Sequence, residues 1–289
     1  MEYFTKYSTT LRFLVTAVSL VIISFFSVWA AGTKLSSPAT TKVGPPPEGH
    51  TVENIVFDGV HGWFFPAARN HTCMLLLHGI RSNRKEMVDI ALFLKDKGYA
   101  SLVIDLQAHG ESSGQAITFG YRESSSAHSA FNFLKTEKTC KKVVAIGRSL
   151  GAASSLLGPK PIDADGFILE AVYSNIKTAV QNRLEIHFGA IGKIIAPLFY
   201  YQIPLRLGIK LEELQPLAAI KNIQAPVLIL SGTQDKRTKV SEAQAIFEEA
   251  PHPKQFVAIA DAAHVNLYKF NPEQYEKVVL DFLANTLKL

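Results

Sequence analysis

The 289-residue chain has little cysteine, little methionine, no long run of like charge and no internal repeat. Its two cysteines, Cys73 and Cys140, are too few for a small fold stapled by disulfides, and no spacing suggests a zinc site. The absence of a repeat excludes a solenoid. The basic clusters Arg81/Arg84/Lys85 and Lys138/Lys141/Lys142 are short, and the net charge of +5 is modest. They read as solvated faces or element ends, which leaves no stripe for nucleic acid. No metal or organic cofactor is implied.

Apolar residues are plentiful, at 47% of the chain, enough for a sizeable core. One apolar stretch stands apart. Phe13–Thr33 carries no charge and lies between Lys6 and Arg12 on one side and Lys34 on the other. It is long enough to span a bilayer. The rival reading is a cleaved signal peptide, since Val28-Trp29-Ala30 before Ala31 offers small residues near a cut. The apolar core exceeds the roughly 7–15 residues usual for a signal, which favours an anchor. The flanking charges nearly tie, so they decide little about orientation. The chain therefore divides into a tail (1–12), an anchor or signal (13–33), a Pro-rich linker (34–49) and one large domain (50–289). Gly44-Pro45-Pro46-Pro47 reads as a stiff, extended spacer. The expected location is a single-pass membrane protein with its domain outside the cytoplasm, or a secreted or periplasmic one if the segment is cleaved.

The domain is organised around Lys142–Gly151. An apolar run, Val143–Ile146, leads into Gly147-Arg148-Ser149-Leu150-Gly151 and then into the helix-forming Ala152–Leu157. A strand that ends in Gly-x-Ser-x-Gly and turns directly into a helix is a nucleophile elbow. The turn is so tight that the serine is strained and its hydroxyl stands at the tip. The helix aims its first amides and positive end at the same spot.

Elements alternate around this centre. Val52–Phe57 and Gly62–Phe65 read as a hairpin turned at Asp58-Gly59. Cys73–Leu77, Ala100–Ile104, Gly166–Leu169, Pro226–Leu230 and Gln255–Ile259 read as short buried strands. Asn83, three residues before Glu86, is a helix cap ahead of Met87, Ile90, Ala91 and Leu94. Ser124–Leu134, Ser241–Glu249 and Tyr275–Leu287 read as helices. Strands alternating with helices predict an α/β fold with a mostly parallel sheet covered on both faces. Active residues gather at the carboxyl ends of such strands. His78, Ser149, Asp235 and His264 all fall just past strand ends.

The order Ser149, Asp235, His264 is that of the α/β-hydrolase triad. The sequence resembles the α/β-hydrolase superfamily over residues 50–289, and is most similar to its membrane-anchored, short-lid lipase-like and serine-peptidase-like members. Asp105…His109-Gly110-x-Ser112-x-Gly114 resembles a loop common in that family, with Gln107 and Ala108 departing from its pattern. The resemblance makes that loop structural. It implies Ser149 as nucleophile, His264 as base and Asp235 as the acid that orients the histidine, with Glu170 as a rival acid. It places the oxyanion hole on the amides of Leu150 and Ile80.

Asn175–Leu211, rich in apolar and aromatic residues and broken by Pro197 and Pro204, is the lid candidate. Core packing, a roof over an acyl pocket and contact with a membrane interface all remain open for it. His78, Phe199 and Tyr200 are the substrate-binding candidates. In the family's sheet order Cys73 and Cys140 start neighbouring strands, so a disulfide and a pair of free thiols are both open.

The expected partner is a small-molecule ester or acyl substrate, reached from a membrane through the N-terminal segment, with no nucleic acid. The expected chemistry is serine-hydrolase cleavage of carboxylic esters or thioesters, acyl-lipid-like ones favoured. A serine peptidase of the same fold and a non-catalytic scaffold are the alternatives.

Overall fold

The structure, a computed structural model, describes residues 2–67 and 69–288. The chain divides into an N-terminal unit ending at Ser37 and a second unit beginning at Pro38. The first is one helix, α1 (Glu2–Ser36), whose segment Leu11–Ser36 is long and apolar enough to cross a membrane. Phe13, Leu14, Ile23, Phe25 and Phe26 on it are exposed.

The second unit is built on a sheet of β1 (Glu53–Phe57), β2 (Val60–Phe65), β3 (Arg69–Leu77), β4 (Tyr99–Ile104), β5 (Lys142–Arg148), β6 (Gly166–Glu170), β7 (Val227–Gly232) and β8 (Lys254–Ile259). Their order across the sheet is β8-β7-β6-β5-β3-β4-β2-β1. The β1–β2 hairpin and the β2–β4 pair are antiparallel, and every other pairing is parallel. Asp58 and Gly59 turn the hairpin with positive φ at both residues, as the sequence predicts.

Apolar runs make these strands because both faces are covered. Met74, Leu76, Val144, Ile146, Ile168, Leu228 and Leu230 pack on one side. Leu75, Leu77, Ala145, Phe167, Leu169, Val227 and Ile229 pack on the other. The helices that cover them are α2 (Val88–Asp96), α3 (Glu123–Thr136), α4 (Leu150–Leu156), α8 (Val240–Glu249) and α9 (Pro272–Asp281). Asn83 caps a short 3-10 turn, Arg84–Met87, before α2 begins. The final helix is shorter than its periodicity suggests, since the chain widens into a π-turn over Phe282–Thr286.

Residues 176–207 form a three-helix insertion of α5 (Ile176–Phe188), α6 (Ala190–Tyr200) and α7 (Gln202–Leu207). Ile176, Ile203 and Leu207 pack with Ala153 and Leu157, above the elbow helix. Gly189 and Gly208, both with positive φ, make the turns after α5 and α7.

Two features depart from the sequence reading, and a third decides between alternatives it left open. The linker is docked: Ala39–Thr40 pairs in parallel with His109–Gly110, and Val43 is buried and donates its amide to Glu111 Oε1 at 3.0 Å. Arg84, expected on a solvated face, is buried. It pairs with Asp105 and Glu111 and lies 4.6 Å from the Trp63 ring centroid. The two carboxylates supply the compensation that a buried guanidinium requires. Cys73 and Cys140 form a disulfide, with Cα atoms 5.9 Å apart. Cys73 lies within β3 opposite Val143 and Cys140 just before β5, away from the strand ends that carry the triad candidates.

Candidate active site

Ser149 sits between β5 and α4 with φ 52° and ψ −106°, a strained backbone for a residue with a Cβ. The strain is held from both sides. Its amide donates to Glu170 O at 2.8 Å, and its carbonyl accepts from Ala153 N at 3.0 Å. The flanking glycines are a steric requirement. A Cβ on Gly151 would lie 2.1 Å from Leu77 O, and one on Gly147 would lie 2.5 Å from Ala152 N.

Asp235 follows β7, and His264 follows β8. Asp235 Oδ2 and His264 Nδ1 are 2.7 Å apart, so the imidazole donates from Nδ1 to the carboxylate. That leaves Nε2 as the acceptor end of a neutral ring. The carboxylate is fixed by further donors. Arg237 N and Thr238 N reach Oδ1 at 2.7 and 2.9 Å, and Thr238 Oγ1 reaches Oδ2 at 2.8 Å. Burial raises the Asp235 pKa, but the histidine and the Thr238 donors outweigh it and hold the acid below its ordinary value.

The two loops are laced together. Gln234 N donates to Ala262 O at 2.9 Å, Thr233 N to Ile259 O at 3.0 Å, and Asp261 N to Thr233 Oγ1 at 2.8 Å. Gly232 permits the approach, because a Cβ there would lie 2.2 Å from Ala262 O.

The rival acid Glu170 is fully buried and accepts a hydrogen bond from Tyr275 Oη. Burial pushes its pKa up to about 7, against the opposing pull of the Tyr275 hydroxyl and the Arg148 charge. It is Asp235, not Glu170, that meets the histidine.

His78 is corrected. It is fully buried, its Nδ1 lies 2.7 Å from Gly79 O, and its Nε2 accepts from Leu106 N at 3.0 Å. That acceptor role fixes the Nδ1–H tautomer and uses both nitrogens. Burial, then the neighbouring His109, lower its pKa to about 3. A neutral imidazole with no free nitrogen braces the loop after β3 and offers nothing to a substrate.

Ile80 is partly exposed, whereas Leu150 is the buried first residue of α4. The amide of Gly79 is already used, since it donates to Glu86 Oε2 at 2.8 Å. Glu86 Oε1 accepts from Arg148 Nη1, and the Glu86 carbonyl accepts from Asn266 Nδ2 at 3.4 Å. One residue thus ties the loop after β3 to the elbow and to the histidine loop. Sequence reasoning missed this tie, because a Glu in a first helical turn reads as a cap partner. Phe199 and Tyr200 lie half-buried in α6, and Tyr200 packs against the cluster that includes Ala153 and Leu157. Among the described residues, no group of three or more His, Cys, Asp or Glu is placed to hold a metal ion.

The family described as serine aminopeptidase, S33, matches residues 68–211, which include His78 and Ser149 and end before Asp235. The fold is similar to that of the Pyrococcus furiosus esterase Pf2001, at TM-score 0.69 and 21% identity, over 86% of this chain and 98% of that one. The chain has the fold of the α/β-hydrolases. The α/β-hydrolase GrgF from Penicillium is similar at TM-score 0.60 and 17% identity, over 83% and 99% of the two chains. At these identities the likeness is one of fold. The chain is also 26% identical over 216 residues to Bacillus subtilis YqkD, covering 73% of this chain and 71% of that one.

Proposed function

We propose that the protein is a serine hydrolase that cleaves carboxylic esters or thioesters through Ser149, His264 and Asp235. The observation that carries the reading is the 2.7 Å Asp235–His264 hydrogen bond at strand ends of a sheet that also presents, at a strand end, a serine with strained positive φ. His264 Nε2 takes the Ser149 proton as Oγ attacks the substrate carbonyl. The tetrahedral oxyanion rests on the amides of Leu150 and Ile80. His264 returns the proton to the departing alcohol or thiol, and water then hydrolyses the acyl-enzyme by the same steps in reverse.

Substrate shape is read from the insertion. Ile191, Ile194, Leu198, Tyr201 and Leu205 recur at helical spacing along α6 and α7 and are exposed. This stripe, together with apolar α1, supports an acyl-lipid-like substrate and a membrane-anchored chain. The family description also raises a serine peptidase. An aminopeptidase needs a free carboxylate to receive the substrate ammonium. Nearby Glu185 is taken by Lys193 and Lys239, and Glu86 by Arg148, which favours the ester.

Pre-steady-state hydrolysis of p-nitrophenyl esters tests the proposal. A burst of nitrophenol near one equivalent, with the acyl group found on Ser149 by mass spectrometry, is expected. Turnover that persists undiminished in Ser149→Ala would refute it.

A further inference from the structure

We infer that Arg183 and Arg237 form a receptor for an anionic group, a carboxylate or a phosphate, on the ester that this site cleaves. The inference rests on the serine-hydrolase reading above. Arg237 belongs to the acid loop, and its amide donates to Asp235 Oδ1 at 2.7 Å. Its carbonyl accepts from Asn182 Nδ2 at 3.1 Å. Asn182 is buried on α5 and also donates to Glu242 Oε1 at 2.6 Å. Arg183 is the next residue on α5. One arginine is therefore carried by the loop of the catalytic acid and the other by the lid, and Asn182 fastens the two carriers together.

Both side chains are exposed, and neither has an ion-pair partner among the described residues. The carboxylates around them are occupied. Asp235 holds His264, Glu242 holds Asn182 and Ser174, Glu185 holds Lys193 and Lys239, and Glu86 holds Arg148. Exposed Lys236 adds another positive charge to the same loop. After burial, the charge of Arg237 is what lowers the pKa of Arg183, and the same charge reaches Arg148 beside the nucleophile. The two arginines thus lie within one another's field, on carriers joined by Asn182. Like charges held together without a counter-ion are unfavourable, and an anion seated between them relieves the repulsion. Guanidinium forks suit the planar or tetrahedral oxygens of carboxylates and phosphates. A positive rim also steers anionic substrates inward and repels an ammonium.

The test uses the full chain in detergent and two matched ester pairs. One is p-nitrophenyl hemisuccinate against p-nitrophenyl butyrate, which puts the charge on the acyl side. The other is a monoacylglycerol phosphate against the same monoacylglycerol, which puts it on the leaving group. At least one anionic member is expected to exceed its neutral partner in kcat/KM by about tenfold. The ratio should fall to about one in Arg183→Gln/Arg237→Gln, shrink with added salt, and invert in Arg237→Glu. The variants' circular dichroism should match that of the parent. If no ester turns over but a fluorophosphonate labels Ser149, the same ratio is read from protection against labelling. Equal treatment of charged and neutral members, or a preference that survives the double substitution, overturns the inference. No turnover and no label on Ser149 would instead bring down the serine-hydrolase reading, and this inference with it.

Discussion

The loops after β3 and β6 and the loops after β7 and β8 hold the same two groups, a histidine and a carboxylate, in opposite states. His78 and Glu170 are sealed in the core, with His78 bonded through both nitrogens and Glu170 held by a tyrosine hydroxyl. Asp235 and His264 face each other, and the imidazole keeps one nitrogen uncommitted to the acid. A place just past a strand end does not by itself make a residue reactive. What separates the pairs is that the His78 ring has both nitrogens bonded to backbone, whereas the His264 ring meets a carboxylate through one.

Asp235→Asn should lower kcat by roughly 10⁴-fold, since the amide favours the wrong imidazole tautomer. Glu170→Gln should change kcat only a few-fold. Steady-state rates on one ester compare them, and equal losses would erase the distinction drawn here.

A smaller loss, about ten- to a hundred-fold in kcat, is expected for Glu86→Ala, which releases the Gly79 amide and Arg148 together. KM should move little, and Glu86→Gln should restore part of the rate. A change confined to thermal stability would make the tie merely structural.

His78→Ala should cost about 1–3 kcal/mol in urea unfolding, because Leu106 N loses its acceptor in a dry site. Its pH dependence has a definite sign. The folded pKa is about 3, below the ordinary value of 6.5, so only the unfolded chain gains this proton as pH falls below 6.5. The His78 contribution is whole above that range and declines as pH falls toward 3.

Glu170 runs the other way. Its folded pKa of about 7 lies above the ordinary value of 4.5, so the folded chain keeps a proton that the unfolded chain releases. The stability it lends is whole below 4.5 and is lost as pH rises through about 7. Glu170→Gln, which carries no titrating proton, should therefore gain stability relative to the parent between pH 5 and pH 8. Melting curves at the two pH values measure this, and a parallel shift at both would contradict the assignment.

Much of this was legible in the sequence, for reasons visible in particular residues. Apolar runs such as Cys73–Leu77 and Val143–Ile146 sit inside strands covered on both faces, where composition alone marks them. Gly147 and Gly151 announce the elbow because no side chain fits there. The choice of Asp235 as the partner of His264 rests on the family resemblance, since Asp235 and Glu170 follow or end neighbouring strands and only three-dimensional placement separates them. Arg84 was misread because its partners, Asp105 and Glu111, lie far along the chain. The linker's attachment was hidden for a similar reason: backbone pairing at Ala39–Thr40 leaves no trace in side-chain pattern. Paired and unpaired arginines also look alike in a sequence, so the positive rim emerged only once each nearby carboxylate had a partner.

The most direct test of the central claim is fluorophosphonate labelling of the full chain, read by mass spectrometry beside Ser149→Ala, His264→Ala and Glu170→Gln. A single adduct on Ser149 is expected, lost in the first two variants and kept in the third. An adduct that persists in His264→Ala, or disappears in a folded Glu170→Gln, would contradict it.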